Sequence, residues 1–485
     1  MKPIYSAEQI REWDQFTIVN EPISSAKLMC RAASRATKVI LTSHLFNEVA
    51  VVCGPGNNGG DGLVIAQILH ECQKSVHVFI LKSAQYSQDF EHYLSQLDSK
   101  IKKTYLVNVD DFTLDKEDLL IDCLFGTGLS RGVSGTAAKL IDAMNNIGLP
   151  IVSIDIPSGL FSDHLETTEG AVIQATTTLS FMQYKRSFLF AKSARFVGNV
   201  KLIDIDLDHS FDADCNWKML ESADISIRPK AAFNHKGNHG KSLIIGGLDN
   251  MNGAAILASR AAMASGSGYV FCASEEATKQ ALLVQQPEII SLNIDQLDPK
   301  VADAIGIGTG LGVTNVALET LKRAFESKRP LVIDADAINL LAEHRELQKN
   351  IPKGSILTPH LKELQRLLEK EDQEDLIESQ QKFSQQHEVY ILQKGKFSKI
   401  TTPEGIIIVN PTGNSAMGTA GMGDVLTGII TSFLAQGYSV EQAVCYGCYL
   451  HGKAADDLVY QHNYYTITAS QIIEQLPKTI ADHLA

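Results

Sequence analysis

The spacing of apolar residues changes along the first part of the chain. From residue 8 to about residue 43, apolar positions recur at the spacing of packed helices. Short apolar runs then follow at residues 49–53, 76–81, 119–124 and 151–154, and polar or glycine-rich turns and helical segments such as 63–70 separate them. This alternation predicts a parallel β-sheet covered by helices.

The second part of the chain repeats the alternation. Strand-like runs lie at residues 242–245, 269–273, 304–307, 331–334, 356–357 and 389–393, with an alanine-rich helix at 254–264 and a hairpin near Gly405. Residues 208–226 lack an apolar rhythm, and 485 residues exceed the length of one ordinary core. We therefore predict an α/β protein of two domains, residues 1–212 and 220–485.

Composition narrows the class of protein. The chain is 44% hydrophobic and 20% charged, which is typical of a folded soluble protein. Its net charge of −13 argues against a general nucleic-acid surface or an anchor to anionic membranes. The N-terminus has no apolar segment of signal-peptide length, and residues 253–273 include Arg260, so we predict a helix followed by a strand there rather than a membrane span.

Eight cysteines are scattered through the sequence, and most lie in apolar runs. Only Cys445 and Cys448 have ligand-like spacing, and no second pair is nearby, so packing is favoured over zinc binding. This usage favours a reducing, cytoplasmic compartment.

Residues 413–428, GNSAMGTAGMGDVLTG, form a glycine-rich turn that leads into an apolar helix. Backbone N–H groups of such a turn can bind an anion at the helix N-terminus. Asp424 lies where the turn meets the helix. It is either a general base beside a bound phosphate or a helix-capping residue.

Three polar turns follow strands of the first domain, at residues 54–62, 126–132 and 155–159. The first two offer N–H groups for a phosphate, with Arg131 as a charge partner. Asn58, Asp122 and Ser158 supply oxygens suited to a hard monovalent or divalent cation. Each turn alone can be an ordinary loop, but three at the strand ends of one sheet favour a ligand site.

Polar residues also follow strands of the second domain. Lys394 and Lys396 can neutralise a nucleotide phosphate or be solvated. His360 can bind a ligand or start a helix, and the second interpretation is favoured for the residue alone. Glu363 can help to hold magnesium or serve as the acidic first-turn residue of a helix.

The segments GPGNNGGDGL, DCLFGTGLSRGVSG and SIDIPSGL, in this order, resemble the N-terminal epimerase domain of the bifunctional NAD(P)H-hydrate repair enzymes, the YjeF family. The resemblance implies a Rossmann-like sheet and a potassium ion held by Asn58, Asp122 and Ser158. The segment FMQYKRSF departs from the family at the flanks of Lys185, which leaves its role open. The residues implied to bind the dinucleotide are Asn57, Asn58, Gly59, Gly60, Asp61, Gly126, Thr127, Gly128, Leu129, Ser130, Arg131, Gly132 and Asp155.

The segments HKGNHG, GTGLG, TPHLKE, QKGKFS and NPTGNSAMGTAGMGD resemble the ADP-dependent dehydratase domain of the same family, which is ribokinase-like. The sequence departs from the family at Leu248 and Lys362, and neither change removes a group that the mechanism needs. The resemblance implies that Ala254, Gly310, His360 and Asp424 contact the hydrated nicotinamide nucleotide, and that magnesium is present. It implies ADP binding by Lys394, Gly395, Lys396, Phe397, Ser398 and Gly423.

The implied activity is repair of hydrated NADH and NADPH in a homo-oligomeric cytoplasmic enzyme. The first domain would act as an isomerase that interconverts the R and S epimers, with Asp155 as a catalytic residue. Asp61 is the other carboxylate in the matching turns, and which of the two is acid or base stays open. The second domain would act as a lyase, with Asp424 as base, and would dehydrate the S epimer while ADP becomes AMP and phosphate. The alternatives are a small-alcohol kinase for the second domain and a non-catalytic nucleotide-binding module for the first.

Overall fold

The computed structural model of the protein describes residues 1–163, 170–370 and 374–485. They form two compact units. The N-terminal unit is Ile4–Cys215, and the C-terminal unit comprises Asn216–Ala485 together with Met1–Pro3. The sequence pattern assigned residues 1–3 to the first domain, but the first strand, β1 (Lys2–Pro3), pairs with a strand of the C-terminal unit.

The N-terminal unit is a parallel sheet with helices. Its strands are β2 (Glu48–Cys53), β3 (Ser75–Leu81), β4 (Lys102–Leu106), β5 (Leu119–Cys123), β6 (Ile151–Ile154), β7 (Thr177–Phe181) and β8 (Asn199–Ile203). Its helices are α1 (Ala7–Asn20), α2 (Ser25–Ser43), α3 (Asn57–Glu71), α4 (Gln88–Gln96), α5 (Gly135–Asn146) and α6 (Ala194–Val197). The strand order is β4-β3-β2-β5-β6-β7-β8, and every neighbouring pair is parallel.

The chain order in this sheet reverses between β2 and β5. From β2 the chain continues through β3 to the edge strand β4, whereas from β5 it continues towards β8. In open parallel sheets the ligand crevice lies beyond the carboxyl ends of the strands at such a point. The turns after β2 and β5 meet there, since the Gly54 N–H group donates to the Cys123 carbonyl at 3.0 Å.

The C-terminal unit has a larger, mixed sheet. Its further strands are β9 (Trp217–Met219), β10 (Lys241–Ile245), β11 (Tyr269–Ser274), β12 (Ile290–Asn293), β13 (Ala304–Ile307), β14 (Leu331–Ile333), β15 (Ile356–Leu357), β16 (Tyr390–Gln393), β17 (Ser398–Thr401) and β18 (Ile407–Asn410). Its helices are α7 (Asn252–Ala264), α8 (Glu276–Gln285), α9 (Asn315–Phe325), α10 (Ala335–Glu343), α11 (Leu361–Leu368), α12 (Glu374–His387), α13 (Met422–Ala435), α14 (Val440–His462) and α15 (Ala469–Ala481). The strand order is β1-β9-β18-β17-β16-β15-β14-β13-β10-β11-β12.

Strands β10 to β16 are parallel, and the chain order reverses between β10 and β13. The loops after these two strands are joined by backbone hydrogen bonds from Gly247 N–H to the Thr309 carbonyl, at 2.9 Å, and from Leu248 N–H to the Gly310 carbonyl, at 2.7 Å. The second unit therefore has its own crevice position at the carboxyl ends of its strands.

The predicted α/β class is confirmed, with differences in helix bounds. The first helical segment is two helices, α1 and α2. Helix α3 begins at Asn57, six residues before the predicted start, although its first turns are rich in glycine, the least favourable helix residue after proline. The glycines allow close packing, because a Cβ atom on Gly59 would lie 1.9 Å from the Gly54 carbonyl oxygen and one on Gly62 would lie 2.7 Å from Cys53 Sγ.

Residues 253–273 fold as most of α7 followed by β11, as the sequence predicted. None of the helices in the described parts of the chain is both apolar and long enough for a membrane span. Cys445 and Cys448 lie on α14 and are buried in the hydrophobic core of the C-terminal unit.

Helices α7 and α13 approach each other closely at Gly428. A Cβ atom there would lie 2.1 Å from the Ala258 carbonyl oxygen and 2.9 Å from the Ala261 Cβ atom. Backbone atoms of α7 cannot yield as a side chain does, so this contact fixes the position of α13, whose first turn carries Asp424.

We predict that Gly428→Ala lowers the free energy of unfolding by about 1–3 kcal/mol, because overpacking outweighs the better helix propensity of alanine. The matched control is Gly253→Ala in α7, where nothing lies within 4 Å of the new Cβ atom. We expect the control to leave stability unchanged or to raise it by up to about 1 kcal/mol. Urea unfolding measures both, and equal effects of the two substitutions would contradict the packing argument.

Candidate active sites

A cavity of about 710 Å³ lies at the carboxyl ends of β2 and β5. Helices α1 and α2 form one wall, and the turns after the strands form the other. The predicted dinucleotide-binding residues that line it are Asn57, Asn58, Asp61, Gly126, Thr127, Gly128, Leu129 and Asp155. Gly59 and Gly60 are buried in the first turn of α3, and Ser130, Arg131 and Gly132 continue the second turn outside the cavity wall, with Arg131 exposed.

The N-terminus of α3 opens towards this cavity. Its N-cap residue is Gly56, which makes no side-chain hydrogen bond to the first turn. The first N–H groups of a helix carry partial positive charge and lack intrahelical partners. They can therefore bind an anionic group of a ligand.

The predicted cation ligands lie together beneath the cavity. Ser158 Oγ donates to Asp122 Oδ1 at 2.5 Å and lies 3.2 Å from the Phe125 carbonyl oxygen, to which Asn58 Nδ2 also donates, at 3.0 Å. The Asn58 Oδ1 atom is buried and has no hydrogen-bond partner among the described residues. Burial raises the pKa of Asp122, although donors from Ser158, Ser153 and Leu124 oppose the shift. The unpartnered oxygen beside a buried carboxylate fits a bound cation.

Three carboxylates and one lysine surround the floor of the cavity. Lys185 is 1% exposed, and its Nζ atom lies 2.6 Å from Asp155 Oδ1. Asp155 has a φ of 65°, a strained conformation for a non-glycine residue. Burial raises the pKa of Asp61 well above its ordinary value, and the charges of Asp155, Asp14 and Asp89 add to this shift. Burial, together with the charge of Asp155, raises the pKa of Asp14 to about 7, although Lys185 opposes it.

Asp14 was not identified from the sequence, and the role of Lys185 was left open. A signal for Asp14 exists, because it lies four residues after Ile10 and four before Ile18, on the same face of α1. A carboxylate among apolar residues on one face of a helix is unusual and is a signal of a functional residue. No comparable local signal exists for Lys185, because its partner Asp155 comes from another strand end.

In the C-terminal unit a buried ion pair joins two strand ends. Lys394 Nζ lies 2.7 Å from Asp334 Oδ1, and the Asp334 side chain is 1% exposed. Asp334 Oδ2 accepts a hydrogen bond from Thr427 Oγ1 at 2.8 Å. Burial lowers the pKa of Lys394, but the charges of Asp334, Glu363 and Asp424 outweigh it and raise the pKa overall. Lys394 is therefore held in place by its ion pair. Its partner Asp334 was not identified from the sequence, although an aspartate directly after a strand was a signal.

Asp424 lies beside this ion pair and does not cap α13. The N-cap is Gly421, at a φ of 90°, and Asp424 is the third residue of the helix. Among the hydrogen bonds of the described residues none involves its carboxylate. Burial and the charge of Asp334 raise its pKa to about 7, Lys394 opposes the shift and Asp336 adds to it. A carboxylate with a pKa near neutrality and a free oxygen suits a general base.

A second cavity, of about 510 Å³, lies next to this group. The predicted ADP-binding residues that line it are Lys394, Gly395, Lys396, Ser398 and Gly423, whereas Phe397 lies outside its wall. Lys396 is exposed and donates to the Gly413 carbonyl at 2.5 Å. His451 was not identified from the sequence. Its side chain is 7% exposed in the cavity wall, and its Nε2 atom has no hydrogen-bond partner among the described residues. Burial lowers the pKa of His451 to about 4, and Lys394 adds to this shift, so the ring is neutral at pH 7.

The remaining predicted residues lie at the crevice of the C-terminal unit and at the start of α11. Gly310 adjoins Ala254, since a Cβ atom on Gly310 would lie 3.1 Å from the Ala254 Cβ atom. His360 is the N-cap of α11, where its Nδ1 atom accepts hydrogen bonds from the N–H groups of Lys362 and Glu363. Its Nε2 atom lies 3.3 Å from Glu363 Oε1, and half of the side chain is exposed. The Nδ1 atom therefore serves helix initiation, and the Nε2 atom contacts the Glu363 carboxylate.

Two family models match the chain. One is described as NAD(P)H-hydrate dehydratase and matches residues 242–478, and the other is described as YjeF-related protein N-terminus and matches residues 25–187. The chain is 31% identical to the bifunctional NAD(P)H-hydrate repair enzyme Nnr of Moorella thermoacetica, over 98% of this chain and 96% of that protein. It is 30% identical to the protein of the same name from Escherichia coli, over 98% of this chain and 94% of that protein.

Solved structures resemble the C-terminal unit. The ADP/ATP-dependent NAD(P)H-hydrate dehydratase of Bacillus subtilis, co-crystallised with ATP and Mg²⁺, is 28% identical with a TM-score of 0.50, over 55% of this chain and 98% of that chain. A ribokinase-like superfamily protein of Enterococcus faecalis is 25% identical with a TM-score of 0.50, over 57% of this chain and 99% of that chain. Both place the C-terminal unit in the ribokinase-like fold.

We predict that Lys394→Met lowers the free energy of unfolding by about 3 kcal/mol, because it leaves the buried Asp334 carboxylate without its cation. The double variant Asp334→Asn/Lys394→Met should recover most of this loss, since neither charge remains. The exposed Lys396 supplies the control, and Lys396→Met should cost less than about 1 kcal/mol. Urea unfolding of the parent and the three variants measures these differences, and a double variant as unstable as Lys394→Met alone would argue against the ion pair.

Proposed function

The chain belongs to the family of bifunctional NAD(P)H-hydrate repair enzymes, and we propose that it carries out both reactions of that family. The N-terminal domain, residues 1–212, interconverts the R and S epimers of hydrated NADH and NADPH. The C-terminal domain, residues 220–485, dehydrates the S epimer and converts ADP to AMP and phosphate. The observation that carries the proposal is Asp424, a carboxylate tuned to about neutral pH beside a glycine-rich helix N-terminus in the unit that resembles a dehydratase.

The chemistry explains why a kinase-like site suits a dehydration. The substrate carries a hydroxyl group at C6 of the reduced nicotinamide ring, and hydroxide is a poor leaving group. Transfer of a phosphoryl group from ADP turns it into phosphate, which the electron pair of the ring nitrogen can expel. Asp424 takes the hydroxyl proton as the oxygen attacks the phosphoryl group.

The residues around Asp424 stabilise the phosphate charge, position the lysine and bind the two substrates. Lys394 and the N–H groups of the first turn of α13, including that of Gly423, stabilise the phosphate charge. Asp334 holds the lysine in place. Lys394–Ser398 with Gly423 bind ADP, while Ala254, Gly310 and the half-exposed His360 contact the hydrated nucleotide.

Magnesium fits this site through oxygen donors. Glu363 lies near Lys394, whose pKa it raises, and Asp336 acts in the same way on Asp424. Magnesium is usually bound by one or two carboxylates together with substrate phosphates. Glu363 would hold it with the ADP phosphates, and the ion would neutralise part of the phosphate charge.

Potassium fits the N-terminal site, where Asn58, Asp122 and Ser158 would hold it. The support is the buried Asn58 Oδ1 atom, which lacks a partner among the described residues. The hydrated dinucleotide would bind over the α3 N-terminus, residues 57–61, and the 126–132 turn, with Asp155 at the reacting ring. The homo-oligomeric state and cytoplasmic location stay predictions.

Incubation of the purified protein with mixed hydrate epimers tests the whole proposal. With ADP, the absorbance of the reduced nicotinamide band should recover for both epimers, because epimerisation feeds the S form to the dehydratase. A kinase acting on another small alcohol would give no recovery with ADP, and a non-catalytic N-terminal domain would leave the R epimer unconverted.

We predict that Asp424→Asn reduces dehydration of the pure S epimer by about 10²–10⁴-fold, the usual loss for a general base. The ionised carboxylate is the active form, so the rate of the parent should rise with pH through about 7, and the variant should lose this dependence. Epimerisation by the same variant serves as the internal control and should persist. Dehydration within a few-fold of the parent would remove Asp424 from the mechanism.

We predict that Asp122→Ala weakens epimerisation and abolishes its dependence on potassium, while dehydration of the pure S epimer persists. Because Asp122 accepts several buried hydrogen bonds, Asn58→Ala is the milder second variant, which removes only the unpartnered oxygen and one amide donor. Rates measured over a range of potassium chloride at constant ionic strength test both. Epimerisation that stays fully potassium-sensitive in both variants would refute the cation site.

A further inference from the structure

Asp14 is a carboxylate of the N-terminal cavity that lies outside the three segments resembling the epimerase domain. It lies on α1, in the cavity wall opposite the glycine-rich turns, and Ile10 and Ile18 flank it on the same wall. The turns opposite it, after β2 and β5, are those assigned to the phosphates and the cation. An unexplained carboxylate at the apolar wall is therefore placed to face the ring end of a ligand that those turns hold.

The partners of the cavity carboxylates separate their roles. Asp155 is ion-paired with the buried Lys185 at 2.6 Å and accepts a hydrogen bond from the Phe181 N–H group, so its Oδ1 atom already has two protein partners. Asp61 lies in the second turn of α3, is 9% exposed and is surrounded by the other acids. Asp14 makes no hydrogen bond or ion pair among the described residues, although it borders the cavity. Its oxygens are thus available to a ligand.

We propose that Asp14 is the proton-transferring catalytic residue of the epimerisation, an inference that rests on the proposed function of the N-terminal domain. As a carboxylic acid, Asp14 gives its proton to the C6 hydroxyl group, the C6–O bond breaks and its electron pair leaves with water, while the lone pair of N1 forms the N1–C6 double bond. Water then adds to the opposite face of C6, the π pair returns to N1, and the proton that this water releases returns through solvent to the Asp14 carboxylate, which restores the carboxylic acid. Asp155 and Lys185 remain an ion pair throughout, and the Asp155 charge stabilises the ring cation.

The electrostatics agree with a group that both gives and takes a proton. Burial and the charge of Asp155 raise the pKa of Asp14 to about 7, which keeps both protonation states populated near neutral pH. The charged groups around the cavity are Arg11 on the same helix, Asp61 on α3, Asp155 after β6 and Lys185 after β7, and Asp89 on α4 acts on Asp61. Asp61 is buried in α3 among the other carboxylates, and burial raises its pKa well above its ordinary value.

The test compares Asp14→Asn, Asp14→Glu and a matched control, Glu12→Gln, which removes an exposed carboxylate two residues away on the same helix. The full-length proteins convert R to S hydrated NADPH without ADP, so that the dehydratase is silent, and chromatography follows the epimer ratio. We expect Asp14→Asn to lose about 10²–10⁴-fold in kcat with KM within a few-fold of the parent. Asp14→Glu should keep part of the rate, and Glu12→Gln all of it.

Two further readouts separate catalysis from folding. Dehydration of the pure S epimer with ADP and the melting temperature of the N-terminal unit should be unchanged in Asp14→Asn, and its residual epimerisation should not vary between about pH 6 and 8. Epimerisation by Asp14→Asn within threefold of the parent overturns the role of Asp14 and leaves the proposed function standing. An equal loss in the Asn and Glu variants with KM raised tenfold assigns Asp14 to binding and overturns it too. A parent that leaves the epimer ratio unchanged overturns both this inference and the epimerase function.

Discussion

Burial of a lysine–aspartate ion pair at a strand end is the interaction on which each candidate site depends. In the C-terminal unit, Lys394 fixes the negative charge of Asp334, which is 1% exposed. Burial raises the pKa of Asp424, and the charge of the nearby Asp334 raises it further. The N-terminal unit repeats the arrangement, because Lys185 fixes Asp155 and the Asp155 charge acts on Asp14 and Asp61. In each unit an aspartate that is paired with lysine therefore lies near another carboxylate whose pKa is raised to about 7, chiefly by burial.

The topology of the sheets brings these groups together. Both units reverse their chain order between two neighbouring parallel strands, β2 and β5 in one unit and β10 and β13 in the other. Glycine is required where the turns pass over one another: a Cβ atom on Gly54 would lie 1.7 Å from the Leu124 carbonyl oxygen, and one on Gly246 would lie 2.1 Å from that of Thr309. The glycine motifs therefore serve the packing of the turns as well as ligand access.

A feature of the fold or of a site was predictable from sequence when it depends on residues that are neighbours in the chain. Strands such as β6 and β13 were predicted at their observed bounds, since a short apolar run bounded by turn residues is a local signal. The glycine turns and the polar residues Asn58, Asp122 and Ser158 were singled out for the same reason, and the cation that these three would hold stays a prediction. The start of α3 was missed, because glycines that pack against strands look like loop residues in one dimension. Lys185 was left open and Asp334 was missed, since each is paired with a residue far away in the chain. Asp14 and His451 were missed because only the fold places them in the cavity walls.

The neutral ring of His451 bears on which groups of the C-terminal unit change charge with pH. Its pKa of about 4 and the raised pKa of Lys394 mean that neither of these groups in the nucleotide cavity changes charge as a cell drifts from neutral to mildly acidic. Asp424 does change, because its pKa is about 7. With Asp424 as the base, acidification below about pH 7 would therefore slow turnover without changing the charge of these two side chains in the wall of the proposed nucleotide cavity.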